Sequence, residues 1–126
     1  MKLNLRSTAV ALTVFSAVSV TGLASAGNLA ETTVTINEQS GDFSGTVRSN
    51  RPNRCADERK IVLFKQKGRE QRPSRDRKVA NDTALLNGDR YEWNTGNTGF
   101  ESGKFYARAG KTPDCQPDNS KTVRVS

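Results

Sequence analysis

Histidine is missing from this sequence of 126 residues, and aromatic residues make up only 6% of it. Without histidine, the chain has no Ser-His or Cys-His nucleophile, and it lacks the commonest general base and the commonest nitrogen ligand for metals. An apolar content of 33% leaves material for one modest core. The sequence therefore predicts a single small domain that is not an enzyme and holds no cofactor or metal.

Carboxylates are the remaining candidates for catalysis or calcium binding. Asp82 and Asp89 flank one predicted hairpin, and Glu92 and Glu101 lie near the strand that contains Trp93. A pair of these could carry out acid/base chemistry or bind Ca²⁺. However, the Asp-x-Asp-x-Asp-Gly spacing of a calcium loop is missing, and Asp beside Gly or Asn is typical of turns. A carboxylate-based hydrolase is therefore only the third hypothesis for function.

Residues 1–26 differ from the rest of the chain. Lys2 and Arg6 precede an uncharged, mostly apolar run from Thr8 to Leu23, and small residues follow at 24–26. This is the pattern of a secretory signal peptide. A transmembrane anchor is the alternative, but the run is short for a span of about 20 strongly apolar residues and contains several Ser and Thr. We predict removal of residues 1–26 and one mature domain, residues 27–126, that is secreted or resides in the cell envelope without a membrane span.

The mature domain contains two cysteines, Cys55 and Cys115. In an oxidising compartment two lone cysteines are most simply explained by a disulfide, the alternative being two independent free thiols. A bridge would close a loop of about 60 residues and contribute about 3 to 5 kcal/mol by loop-closure arguments. This contribution is comparable to the whole net stability of a domain with so small a core.

Short alternating segments separated by Gly, Pro and Asn predict an all-β fold. Apolar residues do not recur at intervals of three and four, which argues against helices of ordinary length. Seven segments instead have the alternation or the compact apolar runs of strands: residues 32–37, 43–47, 59–65, Val79 with 83–86, 90–93, 104–108 and 121–126. Asn87-Gly88 is the preferred two-residue hairpin turn. About seven short strands with frequent turns predict an antiparallel, immunoglobulin-like β-sandwich.

The aromatic residues are concentrated between Asn87 and Ala107, which include the only Trp and both Tyr. Alternation along the strands places Tyr91, Trp93 and Phe105 inward. These three rings could line a sugar-binding face, but a chain with so few large apolar groups needs them for its core. Alternation places Tyr106 outward, which makes it the better candidate for a surface contact.

Positive charge is concentrated in one part of the chain. The whole sequence carries +7, and residues 27–126 carry +5 once Lys2 and Arg6 are left out. The segment Arg48–Lys78 alone has 12 basic and 4 acidic residues, and residues 66–78 lack large hydrophobic side chains, so we predict a long exposed loop there. Such a cluster attracts polyanions, and arginine favours forked contacts to oxyanions. The candidate anion-binding residues are Arg69, Arg72, Arg75, Arg77 and Lys78.

A solvated loop that only keeps the protein soluble is the alternative interpretation of this segment. Aromatic residues do not interleave with its charges, as stacking platforms for bases would, so we expect no specific nucleic-acid binding. The first hypothesis is a monomeric, non-catalytic module that contacts an anionic polysaccharide or an envelope polymer through the basic segment Arg48–Lys78. The second is a secreted ligand-binding or inhibitory protein that uses the loops 48–54, 66–78 and 94–102 as one binding edge. Asn81-Asp82-Thr83 also matches an N-glycosylation acceptor.

Several motifs follow one another between Glu31 and Ser126: Phe43-Ser-Gly-Thr-Val47, Ile61-Val-Leu-Phe64, Asp82-Thr83 leading to Asn87-Gly88 and Tyr91-Glu-Trp93, and Gly103-Lys-Phe-Tyr-Ala107. Their order resembles the prealbumin-like (transthyretin-like) sandwich modules of bacterial surface and secreted proteins, which include Cna protein B-type and carboxypeptidase regulatory-type domains. In that family the pattern marks core strands and a hairpin turn, so the resemblance implies a sandwich without an active site there.

Two departures from that family stand out. Some members carry an internal crosslink from Lys to Asn or Asp, and the strand Thr32–Asn37 offers no Lys for it. The segment 66–78 is also longer and more basic than a simple hairpin connection. We therefore expect the disulfide to replace the crosslink as the covalent link and the basic segment to be the feature specific to this protein.

Overall fold

A computed structural model describes residues 28–126 and shows two packed antiparallel β-sheets with one disulfide. Sheet A contains β1 (Thr32–Val34), β2 (Asn37–Gln39), β3 (Asp42–Ser49), β6 (Leu85–Asn87) and β7 (Arg90–Asn97). Sheet B contains β4 (Lys60–Gln66), β5 (Arg77–Thr83), β8 (Gly103–Ala109), β9 (Asp118–Asn119) and β10 (Val123–Val125). The prediction of an all-β antiparallel sandwich is confirmed. The predicted signal peptide, residues 1–26, lies outside the described residues.

The strand order is β1-β3-β7-β6 in sheet A, where β2 also pairs with β3, and β10-β8-β4-β5 in sheet B, where β9 also pairs with β8. The prediction of about seven strands was wrong, since the described residues form ten. The predicted strand 32–37 is interrupted at Thr35 and Ile36 and gives β1 and β2. The predicted strand 83–86 is interrupted at Ala84, where the chain passes from sheet B to sheet A. Of β5, the sequence indicated only Val79 and Thr83, and β9 is too short to be recognised by alternation.

One helical turn, α1 (Pro52–Cys55), is the only helix among the described residues. Pro52 opens it, which suits the first turn of a helix because the N–H that proline lacks would have no helical partner there. The sequence predicted only a turn-rich segment at this place.

The core lies between the inner faces of the two sheets, as the alternation of the strands predicted. Phe43 of β3 contacts Phe105 of β8 with ring centroids 4.9 Å apart. Tyr91 is partly buried against this core rather than enclosed by it. The buried members are Val34, Ile36, Phe43, Val47, Ala56, Ile61, Leu63, Ala84, Trp93, Phe105, Ala107, Ala109 and Val125.

Trp93 occupies the centre of sheet A. It pairs in register with Gly45 of the neighbouring strand β3. Its indole Nε1 donates a hydrogen bond of 3.2 Å to the carbonyl oxygen of Thr35, in the segment that links β1 to β2. The single Trp of the chain is thus a core residue held by a backbone acceptor, not part of a sugar-binding face.

Two tight turns fix the hairpins of sheet A. Ser40 and Gly41, both with positive φ, connect β2 to β3. Asn87 pairs with Arg90, so the two-residue turn is Gly88-Asp89 and not Asn87-Gly88 as predicted. Glycine suits the first position of this turn because its φ is 69°. Asn87 instead ends β6 and donates a hydrogen bond of 2.7 Å to Glu92.

The predicted disulfide between Cys55 and Cys115 is confirmed, and the two residues are buried with Ala30 in a small cluster of their own. Arg59 lies beside this cluster and is only 5% exposed. Its guanidinium donates four hydrogen bonds, of 2.7 to 3.1 Å, to Thr32 Oγ1 and to the carbonyl oxygens of Cys55, Gly110 and Gln116. Burial lowers the pKa of Arg59. This arginine therefore joins segments around the disulfide and is not free to bind an external anion.

Candidate anion-binding face

The outer face of sheet B, which points away from the core, carries a group of cations. Ile61 and Leu63 of β4 point into the core, so the alternating residues Lys60 and Val62 share the outer face. The pairing of the strands extends this face to the five basic residues Lys60, Lys78, Lys104, Arg108 and Arg124. Within residues 28–126, no strand position on this face is an Asp or Glu.

Two aromatic rings stack on the same outer face. Phe64 and Tyr106 are directly paired neighbours whose ring centroids lie 5.2 Å apart at an angle of 11°. Alternation correctly excludes Tyr106 from the core between the sheets, whereas the apolar run 61–64 did not indicate which of its residues face inward. The prediction that Tyr106 is exposed was wrong, since its exposed fraction is 0%. Residues 67–76, the basic loop, fold over the face and contact the Tyr106 hydroxyl. The rings therefore support the loop and offer no stacking surface to a ligand.

Asp76 holds the basic loop in place. Its carboxylate accepts hydrogen bonds from the backbone N–H of Lys67 at 3.0 Å and of Arg72 at 2.7 Å. It also accepts a hydrogen bond of 2.6 Å from the Tyr106 hydroxyl, which ties the loop to β8. One buried carboxylate thus closes the loop and joins it to the sheet. The sequence predicted a wholly exposed segment here, because nothing in residues 66–78 distinguishes this Asp from a solvated one.

Burial of Asp76 by itself raises the pKa of its carboxyl group, because an uncharged acid is easier to bury. The hydrogen bonds from Tyr106, Arg72 and Lys67 outweigh burial, so that the pKa is lowered overall from the ordinary value of 3.8. Burial and the neighbouring Asp76 together raise the pKa of the Tyr106 hydroxyl. The pair is therefore a phenol that donates to a carboxylate at neutral pH.

Asp76→Asn is expected to lower the free energy of unfolding by about 2 kcal/mol near neutral pH, because an amide cannot accept all three hydrogen bonds. A carboxyl group whose pKa is lowered by folding stabilises the protein fully above pH 3.8, and this stabilisation is lost as the pH falls through the lowered pKa. The difference between the two proteins should therefore shrink in acid. Urea unfolding at about pH 7 and about pH 2.5, followed by Trp93 fluorescence, measures it.

The exposed Asp57 provides the matched control for this measurement. Asp57→Asn removes the same charge without removing any side-chain hydrogen bond seen in the structure, and it should leave both unfolding curves nearly unchanged. A destabilisation by Asp76→Asn that is equally large at the two pH values would contradict the role assigned to the carboxylate.

Two further side chains fasten the basic loop to sheet B. The amide of Gln71 donates 2.9 Å hydrogen bonds to the Ser120 carbonyl and to Thr122 Oγ1, and it accepts one from Asn119. Lys104 of β8 donates a hydrogen bond of 2.6 Å to the carbonyl of Gly68. The backbone of the loop is therefore bound at its start, its middle and its end. The cations that it carries extend from a fixed support.

The structure places four of the five candidate anion-binding residues on or over this face. Arg69, Arg72 and Arg75 are exposed in the basic loop, and Lys78 is exposed on β5 opposite Phe64. Arg77 is also exposed, but it alternates with Lys78 and therefore projects from the other side of β5. Arg72 Nη2 lies 3.3 Å from Glu70 Oε1 in an exposed ion pair, and within residues 28–126 no other guanidinium group of the loop lies within ion-pair distance of a carboxylate.

Sequence reasoning missed the cations that the strands contribute. Lys104, Arg108 and Arg124 come from the last third of the chain, far from the basic segment, and only strand pairing brings them to this face. The available signal was alternation, which put Arg108 on the same side as Tyr106. Arg108 donates a hydrogen bond of 2.7 Å to Asn119, so its guanidinium is oriented along the face.

The linear basic segment Arg48–Lys78 is not one surface in the folded protein. Arg48 ends up on β3 of sheet A, and Arg54 lies in α1 with Asp114 3.8 Å away. Arg59 is buried beside the disulfide. Only the part of the segment that follows the start of β4 contributes to the outer face of sheet B. Charge density along the chain therefore pointed to basic residues that lie elsewhere in the fold and missed the strand cations that do lie on this face.

A shallow depression marks the side of this face next to β5. Its volume is about 400 Å³, and Lys60, Lys78 and Asn81 line it together with Val62, Val79 and Ala80. Two ammonium groups and an amide thereby border an apolar floor. Asn81, the predicted glycosylation acceptor, is exposed on β5 within this depression.

The carboxylates considered for catalysis do not converge. Asp82 accepts a hydrogen bond from the backbone N–H of Asn94, and Glu92 accepts one from Asn87. Asp89 lies in the β6–β7 turn at one end of the sandwich, whereas Glu101 lies in the β7–β8 connection at the other. In residues 28–126, no group of three or more Asp, Glu or Cys side chains is arranged to hold a metal ion.

The three loops of the second hypothesis do not form one edge. The connection from β3 to β4, which includes residues 50–54, lies at the end of the sandwich that holds the disulfide. The basic loop and residues 98–102 lie at the opposite end, because Gln66 at the end of β4 pairs with Lys104 near the start of β8. A single ligand cannot contact all three.

No model of a known protein family matches the chain, and no curated protein matches it significantly. In the described part of the chain, no helix has the length and apolar character needed to cross a membrane.

Proposed function

We propose that this protein is a non-catalytic, exported module that binds an anionic polysaccharide or envelope polymer along the outer face of sheet B. The observation that carries the proposal is the fastening of the basic loop onto that face by Asp76, Gln71 and Lys104. The disulfide supports an exported location, since such bonds form and persist in oxidising compartments.

Cations on an ordered backbone lose less conformational entropy when they bind a polymer than cations on a mobile backbone do. An unanchored loop would lose conformational entropy on binding, whereas the backbone here is already ordered by hydrogen bonds. Arg69, Arg72 and Arg75 provide forked donors suited to carboxylate, sulfate or phosphate groups. The strands add cations at their regular spacing, which extends the positive surface across about four strands. A face with this arrangement suits an extended chain of charges better than a single small anion.

Titration of the protein with a polyuronate and with heparin over a series of salt concentrations tests the proposal. The face variant, in which Arg69, Arg72, Arg75 and Lys78 are replaced by Ser, is expected to lose at least about tenfold in affinity at about 0.15 M salt and to show a shallower salt dependence. Both changes follow from the loss of cations that release counterions from the polymer.

The control variant removes the same number of charges elsewhere on the surface: Arg51, Arg54, Arg77 and Lys111 are replaced by Ser. It should retain affinity within about twofold. Equal losses in the face and control variants would show that net charge alone drives binding and would refute a specific face.

A further inference from the structure

A second cationic site lies on sheet A, at the place where β3 ends and β7 begins. A pocket of about 500 Å³ is lined there by Arg48, Arg90, Asp89, Tyr91, Pro52 and Thr46, among others. This volume is within the range of small-molecule sites. The pocket belongs to the other sheet from the proposed polymer-binding face, and none of the residues of that face lines it.

Two arginines stand side by side at this pocket. Val47 of β3 is directly paired with Tyr91 of β7, so that Arg48 and Arg90 are the next residues along the two antiparallel strands. Like charges opposite each other on neighbouring strands repel. Among the described residues, neither guanidinium has a carboxylate within ion-pair distance. An oxyanion between them would replace this repulsion with two attractive, forked contacts.

The acidic groups near the arginines do not already fill that role. Asp89, at the tip of the β6–β7 turn, is exposed. Glu92 is engaged by the side chain of Asn87 at 2.7 Å. With Asp89 counted, the lining of the pocket still carries a net positive charge.

The remaining lining is apolar or fixed by hydrogen bonds. Pro52, which is exposed, contributes carbon surface on which a ring can rest. Thr35 holds Thr46 by two hydrogen bonds. The two hydroxyl oxygens lie 2.8 Å apart, and the Thr46 backbone N–H donates a hydrogen bond of 2.9 Å to the Thr35 hydroxyl oxygen. The pocket therefore combines two adjacent arginines with apolar surface and with a threonine that hydrogen bonds hold in place.

We infer that the Arg48–Arg90 pocket binds a small molecule, or the end of a larger one, that carries a carboxylate, sulfate or phosphate group on a ring. The two guanidinium groups hold the oxyanion, and the ring lies against Pro52. This site is independent of the polymer-binding face, because its cations lie on the other sheet.

Glucuronate and uncharged glucose form a matched pair of probes, since both present a sugar ring and only one carries a carboxylate. Amide and arginine side-chain NMR signals of the native protein should shift saturably with glucuronate, most at Arg48, Arg90 and Tyr91, and should not shift with glucose. The double variant Arg48→Gln, Arg90→Gln should weaken glucuronate binding at least about tenfold. The face variant should bind it as the native protein does.

Three outcomes would overturn the inference: no saturable shift with glucuronate up to about 20 mM, equal shifts with glucose, or unchanged binding by the double variant. The urea unfolding midpoint of the double variant should be unchanged, because removing two neighbouring like charges does not destabilise the fold. This result shows that the variant is folded. Since glucuronate is a monomer and the face variant leaves the pocket intact, failure here and failure of the polymer-binding proposal are distinguishable.

Discussion

Gly45→Ala is expected to lower the free energy of unfolding by about 3 kcal/mol or more, which is at the upper end of the cost of overpacking. A methyl group on Gly45 would overlap the carbonyl oxygen of Thr35 and lie 2.7 Å from Nε1 of Trp93. The obstructing carbonyl is backbone, which cannot rotate away as a side chain can. The segment between β1 and β2 would have to move off sheet A, and the hydrogen bond between Trp93 and Thr35 would break.

Trp93 is the only Trp of the chain and is 1% exposed, so its fluorescence reports this change directly. Urea unfolding gives the loss of stability, and quenching by acrylamide under native conditions should increase in the variant. Gly68→Ala is the control, because a methyl group there would meet no atom within 4 Å. That variant should unfold like the native protein. If the two variants unfold alike, the close packing of the indole over Gly45 is refuted.

Removing the disulfide by the double change Cys55→Ala, Cys115→Ala is expected to lower the free energy of unfolding by about 4 kcal/mol. The bond links residues 60 apart in the sequence, so its loss frees a long loop in the unfolded chain. This loss is comparable to the whole net stability of a domain with so small a core. We therefore expect the variant to be largely unfolded at about 37 °C, as measured by circular dichroism and calorimetry.

Substitution is a cleaner test than a reductant added to the folded protein, since Cys55 and Cys115 are 0% and 1% exposed and a reductant reaches them only after unfolding. As a second arm, native protein reduced and alkylated in denaturant should fail to refold, whereas protein carried through the same steps without reductant should recover. A melting temperature of the double variant equal to that of the native protein would contradict the expectation.

Much of the fold follows from local patterns in the sequence. Alternation in the segments around Phe43, Trp93, Phe105 and Val125 identifies the residues that face the core, because side chains two apart on a strand share a side. The presence of only two cysteines leaves one possible intramolecular bridge. The places where a strand crosses from one sheet to the other could not be predicted, since Thr83, Ala84 and Leu85 continue a pattern that is compatible with a single strand.

Tyr106 shows why the site was harder to predict than the core. Alternation correctly puts it on the side away from the core, but exposure depends on what lies over that side. The cover is the basic loop, whose sequence has no large hydrophobic residue to suggest packing. The contact is instead a hydrogen bond between the Tyr106 hydroxyl and Asp76. Nothing local in the sequence pairs these two residues, which are 30 positions apart.

Predicting which cations share the outer face of sheet B required knowledge of the strand order. Lys60 of β4 and Arg108 of β8 are 48 positions apart in the sequence, yet β4 and β8 are neighbours and the partner of Arg108 is Val62. Counting charges along the chain finds the arginines of the loop but also Arg59, which the structure buries. Basic residues that are close in the sequence are also close on the surface only where they belong to the same loop.

The position of the basic loop between the two cysteines has a consequence for proteolysis. Arg69 and Arg75 are exposed sites for a trypsin-like protease, and both lie between Cys55 and Cys115. A cut there leaves two fragments that the disulfide still joins, and β4 and β8 on either side of the cut remain paired across sheet B. A nicked molecule should thus keep both fragments and its sandwich, and only reduction on a denaturing gel would release the two pieces.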